Sequence, residues 1–342
     1  MAVLMRIIFQ ACFLLCLGAA TSLSALPATT NLGIRDTFFT LNGQDTFLYG
    51  ISYYGGLGAP EEFLQKDFAD MQRYRFNWLR VWATWSSGSN DVSAVDAEGS
   101  PREPFLSRLK HLVAECDRRG LAVDITLSRG KGLTGPARLQ TFAAHQQAVE
   151  TLVLALKPWR NWYLDLSNER NIRDARFTSI EDLARLRALV RKLDPARLVT
   201  ASDGGDISLD DLHTYLRDAE LDFVCPHRPR DPVSPAQTAS KTAQYLEWMK
   251  IVGRVVPLHY QEPFRRGYAK WQPKAPDFIT DARTAYSSGA AGWCFHNGEE
   301  RGDPNGPKRC FDLRDKRLFD QLDAEEFKAL ENIRALRASG NF

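Results

Sequence analysis

Trp162-Tyr-Leu-Asp-Leu-Ser-Asn-Glu169 reads as a short apolar strand that runs out into an amide and a carboxylate. Val255-Val-Pro-Leu-His-Tyr-Gln-Glu262 has the same form and also ends in an acid. Around them the chain alternates. Strand-like runs rich in Val, Ile, Leu, Phe or Trp occupy 47–53, 76–85, 121–128, 161–169, 197–203, 221–227, 255–263 and 290–296. Segments with apolar residues at helical spacing follow them, at 59–74, 104–119, 137–157, 180–193, 208–218, 242–253, 276–289 and 323–338. Apolar strands separated by helices imply a parallel sheet with the helices packed outside. Eight such units predict an α/β fold of one domain, a single (β/α)8 TIM barrel. Ahead of it, residues 38–50 predict a short N-terminal β-hairpin, because Asn42-Gly43 is the pair that a tight two-residue turn favours. A doubly wound sheet would want a Gly-x-Gly-x-x-Gly turn after its first strand. Gly55-Gly-Leu-Gly-Ala-Pro60 lacks that spacing.

The bulk properties narrow the partners. The chain has 342 residues, 25% of them charged, and a formal charge of +2, which points to neither nucleic acid nor a strongly acidic partner. The short arginine runs Arg228-Pro-Arg230 and Arg265-Arg266 read as solvated surface or as partners of local carboxylates. Residues 1–25 have one basic residue, Arg6, then an apolar run and small residues, the pattern of a secretory signal peptide. The mature domain is then 26–342, secreted or periplasmic, and no later stretch approaches the roughly 20 apolar residues of a membrane span. Four cysteines remain after the leader, with no Cys-x-x-Cys spacing to suggest zinc. Cys294 with Cys310 is the favoured bridge in an exported protein, four buried thiols being the alternative. A monomer is expected.

In such a barrel the C-terminal strand ends converge on one cleft. They carry Tyr53-Tyr54, then Arg80, Trp82 and Trp85, Ser128-Arg129, Asn168-Glu169, Ser202-Asp203, His227, then His259, Tyr260 and Glu262, and last Trp293, His296 and Asn297. No His-x-His strand end offers a metal, no strand lysine offers a Schiff base, and no Gly-x-Ser-x-Gly elbow offers an acyl nucleophile. No metal or other cofactor is expected. Two glutamates among aromatics, an arginine, an asparagine and histidines suit a carbohydrate. Glycosidic cleavage needs one carboxyl group to protonate the leaving oxygen and a second to attack the sugar or activate water.

Four motifs, Phe76-Asn-Trp-Leu-Arg-Val-Trp82, Leu166-Ser-Asn-Glu169, the strand-seven Glu262 and Gly292-Trp-Cys-Phe-His296, resemble in order and strand number the clan A glycoside hydrolases. The nearest pattern is the family-5 cellulase and mannanase type. The resemblance implies Glu169 as acid/base with Asn168 on the sugar's 2-hydroxyl, and Glu262 as the nucleophile of a retaining mechanism on a β-linked poly- or oligosaccharide. It implies Arg80 beneath Glu262, keeping it ionised, and Tyr260 or His227 hydrogen-bonded near the nucleophile. Trp293 would be the sugar platform, core packing being its alternative; Trp82, Trp85, Tyr53, Tyr54 and Trp271 would line further subsites. His111, His145 and His213 fall on helices, away from the site. Three stretches depart from the family pattern: Thr126-Leu-Ser-Arg-Gly130, Cys225-Pro-His-Arg-Pro-Arg-Asp231, and Pro263-Phe-Arg-Arg-Gly267 after the nucleophile. A transglycosylase with the same site, or a catalytically silent sugar-binding barrel, are the alternative functions.

Overall fold

The computed structural model describes residues 29–87, 90–130, 137–268, 270–297 and 313–340. The leader expected over 1–25 and the bridge partner Cys310 lie outside them. Three antiparallel strands come first, β1 (Leu32–Arg35), β2 (Phe38–Leu41) and β3 (Gln44–Thr46). Asn42 and Gly43 join the last two with φ of 52° and 78°. Positive φ at both central residues is what a two-residue hairpin turn of the right twist requires. The strand β1, which extends this hairpin to three strands, was not expected from the sequence.

The barrel follows. Its strands are β4 (Leu48–Ser52), β5 (Trp78–Trp82), β8 (Ala122–Thr126), β9 (Trp162–Asp165), β10 (Val199–Thr200) with β11 (Ser202–Gly204), β12 (Cys225–His227), β13 (His259–Tyr260) and β14 (Gly292–Phe295). A minor ladder of β6 (Ser86–Ser87) and β7 (Asn90–Asp91) decorates the loop after β5. Seven strands pair in parallel in the order β10-β9-β8-β5-β4-β14-β13. The fifth barrel strand breaks between β10 and β11; β11 pairs with β12, and a parallel bridge from Val224 to Leu258 leads on to β13, which closes the ring. Helices α1 (Glu61–Arg73), α2 (Phe105–Arg118), α3 (Phe142–Leu156), α4 (Ile180–Leu193), α5 (Leu209–His213), α6 (Ser234–Val252), α7 (Ala275–Ser287) and α8 (Ala324–Ala338) follow the strands in turn. The (β/α)8 barrel with its N-terminal hairpin is therefore the observed fold. Among the described residues no helix is long and apolar enough to cross a membrane.

Alternation along each strand sets what fills the barrel. Leu79, Val81, Val123 and Ile125 join the large core cluster, and Trp78 and Ala122 belong to a second, smaller one. Phe39 of β2 belongs to that smaller cluster. Its ring meets Phe223 edge-on at 4.9 Å and His259 at 5.8 Å, and lies parallel to Tyr163 at 6.5 Å. The hairpin thus closes the N-terminal end of the barrel with an aromatic stopper. Gly50 admits no substitute, since a Cβ there would lie 1.7 Å from the Trp78 carbonyl oxygen.

The expected bridge from Cys294 to Cys310 falls outside the described residues. Among these, Cys116, Cys225 and Cys294 are buried and form no disulfide with one another, and the Cys294 Sγ lies 3.5 Å from Ser52 Oγ, enclosed among barrel residues.

Candidate active site

The site is built on a buried cation. Arg80, at the middle of β5, has no solvent exposure. An isolated guanidinium there would cost several kcal/mol of desolvation, and the barrel surrounds it with acids. Its Nε lies 2.9 Å from Thr126 Oγ1 and 3.2 Å from Asp124 Oδ2; its Nη2 lies 2.9 Å from Asn168 Oδ1 and 3.3 Å from Asp165 Oδ2. Its Nη1 donates to Glu262 Oε1. Asp124 also accepts from Thr126 Oγ1 at 2.9 Å, Tyr163 Oη at 3.0 Å and Gln261 Nε2 at 2.7 Å. Each polar group in this layer is fixed by the next, so Arg80 and Glu262 are held rigidly from below.

Glu169 comes from the loop after β9. Its φ is +49°, a left-handed conformation that costs a non-glycine residue energy and occurs most at functional sites. Its amide nitrogen donates to Ser202 Oγ at 3.2 Å. This turn brings its carboxylate to the cavity that Glu262 enters from the other side. Glu169, His227 and Glu262 each offer a ligand-type atom, all within 4.8 Å of one another. His227 Nδ1 sits 3.5 Å from Glu169 Oε1 and 3.6 Å from Glu262 Oε2, in ion-pair range, and neither ring nitrogen makes a hydrogen bond among the described residues. Arg230 Nη2 lies 2.8 Å from Glu262 Oε2 and 3.7 Å from Glu169 Oε1. Arg176 donates to Glu169 Oε2 and pairs with Asp174 at 2.7 Å.

These charges set the protonation of both acids. Burial pushes the Glu262 carboxyl upward, but His227, Arg80, His296 and Arg230 outweigh it and hold the group well below its usual value. For Glu169 burial again raises the pKa, as does the Glu262 charge, yet the contact with His227 and the Arg230 charge bring it net below the ordinary range. Three donors this close could meet a divalent cation. Three guanidiniums, of Arg80, Arg176 and Arg230, already serve these carboxylates, however, so a metal there would face Arg80 and have to expel Arg230. The donor set fits charge-paired carboxylates rather than a metal centre.

Around the acids lies a cavity of about 690 Å³. One wall is aromatic: Tyr54 packs on Trp85 at 4.9 Å and on Trp82 at 5.7 Å, with Trp82 and Trp85 5.2 Å apart. Tyr54 Oη lies 2.7 Å from His296 Nε2. Trp82 Nε1 is buried with no protein acceptor among the described residues, a donor available to a ligand hydroxyl.

The structure brings together Glu169, Glu262, Asn168, His227, Trp82, Trp85 and Tyr54 on the cavity, with Arg80 directly below. It does not bring Trp293 there. That ring faces out of the barrel, stacked on Tyr49 at 6.2 Å, and its Nε1 donates to Asp281 Oδ2 of α7 at 2.7 Å. Tyr260 has the same outward parity; its hydroxyl is 2.7 Å from Thr242 Oγ1 of α6, so of the two partners expected for Glu262 only His227 is in place. Tyr53 is likewise committed, to Asp67 at 2.9 Å, and Trp271 packs on Phe264 at 5.0 Å. Sequence reasoning allowed the arginines local carboxylate partners but missed their place on the cavity. Arg228, Arg230 and Arg265 line the cavity and are buried rather than solvated; Arg266 does lie at the periphery, paired with Asp323 at 2.6 Å. Their position immediately after the sixth and seventh strands was the available signal.

No protein-family model and no curated relative matches the sequence. Solved structures do match. The endo-1,4-beta-mannanase of Rhizomucor miehei superposes with a TM-score of 0.63 at 12% identity, over 90% of this chain and 99% of that one. The glycoside hydrolase family 5 mannosidase of the same organism gives 0.60 at 14% identity, over 92% and 99%. The beta-mannanase of the blue mussel Mytilus edulis gives 0.59 at 14%, over 91% and 97%. At these identities the likeness establishes the fold: this chain is a (β/α)8 barrel of the kind built by family 5 glycoside hydrolases.

Proposed function

We propose that this chain is a retaining glycoside hydrolase for β-linked glycans or glycosides, with Glu262 as nucleophile and Glu169 as acid/base. The observation that carries the reading is the approach of the two carboxylates, an oxygen of each lying within 4.8 Å of the other beside His227. This nearest approach of oxygens is in keeping with the roughly 5–5.5 Å between the carboxyl groups of retaining enzymes, against about 6.5–9.5 Å where an inverting pair leaves room for a water molecule. Glu262 Oε1 is tied to Arg80, so Oε2, on the side of Glu169, is the attacking oxygen. Arg230 withdraws from it as the sugar enters. The bond from Oε2 to the anomeric carbon forms while the glycosidic bond breaks, and the leaving oxygen takes the proton of Glu169. Water then gives a proton back to the Glu169 carboxylate and attacks the same carbon, which frees Glu262. Asn168, bonded to Arg80, presents its amide to the sugar's 2-hydroxyl. Export through the leader-like residues 1–25 and action as a monomer belong to the same reading.

The test is a panel of activated aryl β-glycosides followed by trapping with the matching 2-deoxy-2-fluoro glycoside. A mass increase of one glycosyl unit on the peptide that carries Glu262 is expected. E169Q should lose about 10²- to 10⁴-fold on substrates with poor leaving groups, and far less on activated aryl glycosides that need no acid. Full activity in both E169Q and E262Q would overturn these residue assignments, and a wild type that binds sugar without turning any over would leave a sugar-binding barrel as the better account.

A further inference from the structure

Between β9 and α4 the chain has no regular secondary structure, yet it carries Glu169 and the Arg176 that binds it. A glutamate keeps a φ of +49° only where its surroundings over-determine the turn. Ser202 Oγ holds the Glu169 amide from one side. From the other side the loop is gripped by residues that follow β8. The Leu127 carbonyl oxygen accepts from the Asn168 amide at 2.9 Å. Beyond it the buried Arg129 spreads its guanidinium over three acceptors. Its Nε lies 3.0 Å from His145 Nδ1 of α3, its Nη1 3.1 Å from the Phe177 carbonyl oxygen, and its Nη2 2.8 Å from Asp182 Oδ2 in the first turn of α4.

His145 carries the grip to the start of the loop. Its Nδ1 accepts from Arg129, so Nε2 bears the proton and donates to the Leu166 carbonyl oxygen at 2.7 Å. The ring stays neutral, because burial and the Arg129 charge push its pKa down to about 3. Gln140 adds a third hold: its Nε2 lies 2.7 Å from the Arg129 carbonyl oxygen and 3.1 Å from that of Ala175. The carbonyls on both sides of Arg176 are thus tied, Ala175 by Gln140 and Phe177 by Arg129. Between them the Arg176 stem passes over Gly130, where a Cβ would lie 2.7 Å from Arg176 Cγ.

We infer that Arg129 is the positioning residue of the acid/base, with His145 and Gln140 as its two arms: together they fix the turn at Glu169 and aim Arg176 at its outer carboxylate oxygen. The stretch Thr126-Leu-Ser-Arg-Gly130, which departs from the family pattern, then serves the acid through its arginine. Arginine suits the place because a planar fork can reach a ring nitrogen, a carbonyl and a carboxylate from one centre. Glu262 is held separately, by Arg80 and the layer beneath it, so the clamp acts on one of the two glutamates.

The inference rests on the glycosidase reading for its kinetic test, so a second readout is chosen that needs no turnover. R129A removes the clamp, R129K keeps the charge beside Asp182 but loses the fork, and Q140A removes the exposed arm without touching the core. Each variant is assayed at a temperature where its denaturation curve shows it folded. On aryl glycosides with poor leaving groups, kcat/KM of R129A should fall by about 10- to 100-fold, part of the roughly 10²- to 10⁴-fold that a general acid supplies. On activated aryl glycosides, which need no acid, it should stay near the wild-type value. R129K should be intermediate, and Q140A should lose least. Equal losses on both substrate classes, or no loss on either, overturn the inference and leave the glycosidase reading standing. If the wild type turns nothing over, that reading fails by itself, and the clamp is judged by NMR titration of the Glu169 carboxyl carbon. Glu169 faces His227, Arg230, Arg176 and Glu262. R129A loosens the hold on Arg176 alone among these, which withdraws a cation, so the Glu169 pKa should rise. An unchanged Glu169 pKa in R129A refutes the clamp whether or not the protein is an enzyme.

Discussion

The two ends of the barrel are filled by the same device, inward side chains from the same strands, and they come out as opposites. At the N-terminal end Phe39 closes on Tyr163, Phe223 and His259, and the His259 ring is pushed by burial to a pKa of about 3, so it stays neutral. Two residues further along β5 and β8, Arg80 and Asp124 begin a layer of charge that ends in Glu262 and Glu169. The lower end is arranged to exclude water. The upper end retains costs that the fold need not bear: a glutamate at positive φ, a buried histidine with no hydrogen bond among the described residues, and the guanidiniums of Arg230 and Arg265 both set against the Tyr268 ring. Where physical rules are broken together at a concave surface, chemistry is the economical explanation.

The largest test of this division is Phe39→Ala. Removing a fully buried phenylalanine from a closed cluster should cost about 3–5 kcal/mol of stability, read as a lower denaturation midpoint with an unchanged slope. At 25 °C, where the variant is still folded, its kcat/KM should equal that of the wild type, because the polar layer lies between Phe39 and the carboxylates. A loss of activity in step with stability would show that the two ends are one cooperative site. Trp293→Phe is a smaller and more local probe. It removes the bond to Asp281 at 2.7 Å and leaves the ring in its outward slot. About 1 kcal/mol or slightly more should go, as for a buried hydrogen bond, and sugar affinity should not change. A fall in affinity would return Trp293 to the platform role that its sequence context suggested.

That residue shows where the sequence stops being legible. The barrel was readable because eight apolar runs and eight helical segments are long-range periodic facts, and Asn42-Gly43 is a local one with a single conformational meaning. The carboxylates were readable because barrel topology sends every strand end to one cleft. Direction within a strand end was not readable. A shift of one residue exchanges inside for outside, and in Gly292-Trp-Cys-Phe-His296 the neighbours Cys294 and His296 face in while Trp293 faces out. Tyr260 failed for the same reason. The arginines failed for another: a charged run looks solvated wherever it occurs, and only the tertiary fold shows that Arg228 and Arg230 are covered.

The smallest expected effect is the most discriminating about roles. On the proposed roles, Glu169 has to be protonated, and Glu262 ionised, for the first step to proceed. Activity on free substrate should therefore rise with pH as Glu262 loses its proton and fall again as Glu169 loses its own. Both groups are held below the ordinary carboxylate value, Glu262 the further of the two, so the optimum should lie on the acid side. Arg176 donates to Glu169 Oε2, and the attraction is mutual, since Glu169 contributes to raising the Arg176 pKa. R176A withdraws a cation from the acid and not from the nucleophile. The ionised form of Glu169 then loses support and its pKa rises, so the alkaline limb of kcat/KM against pH should move to higher pH while the acid limb stays in place. If the acid limb moves instead, Glu169 is the group that must be ionised, and the two glutamates have exchanged roles.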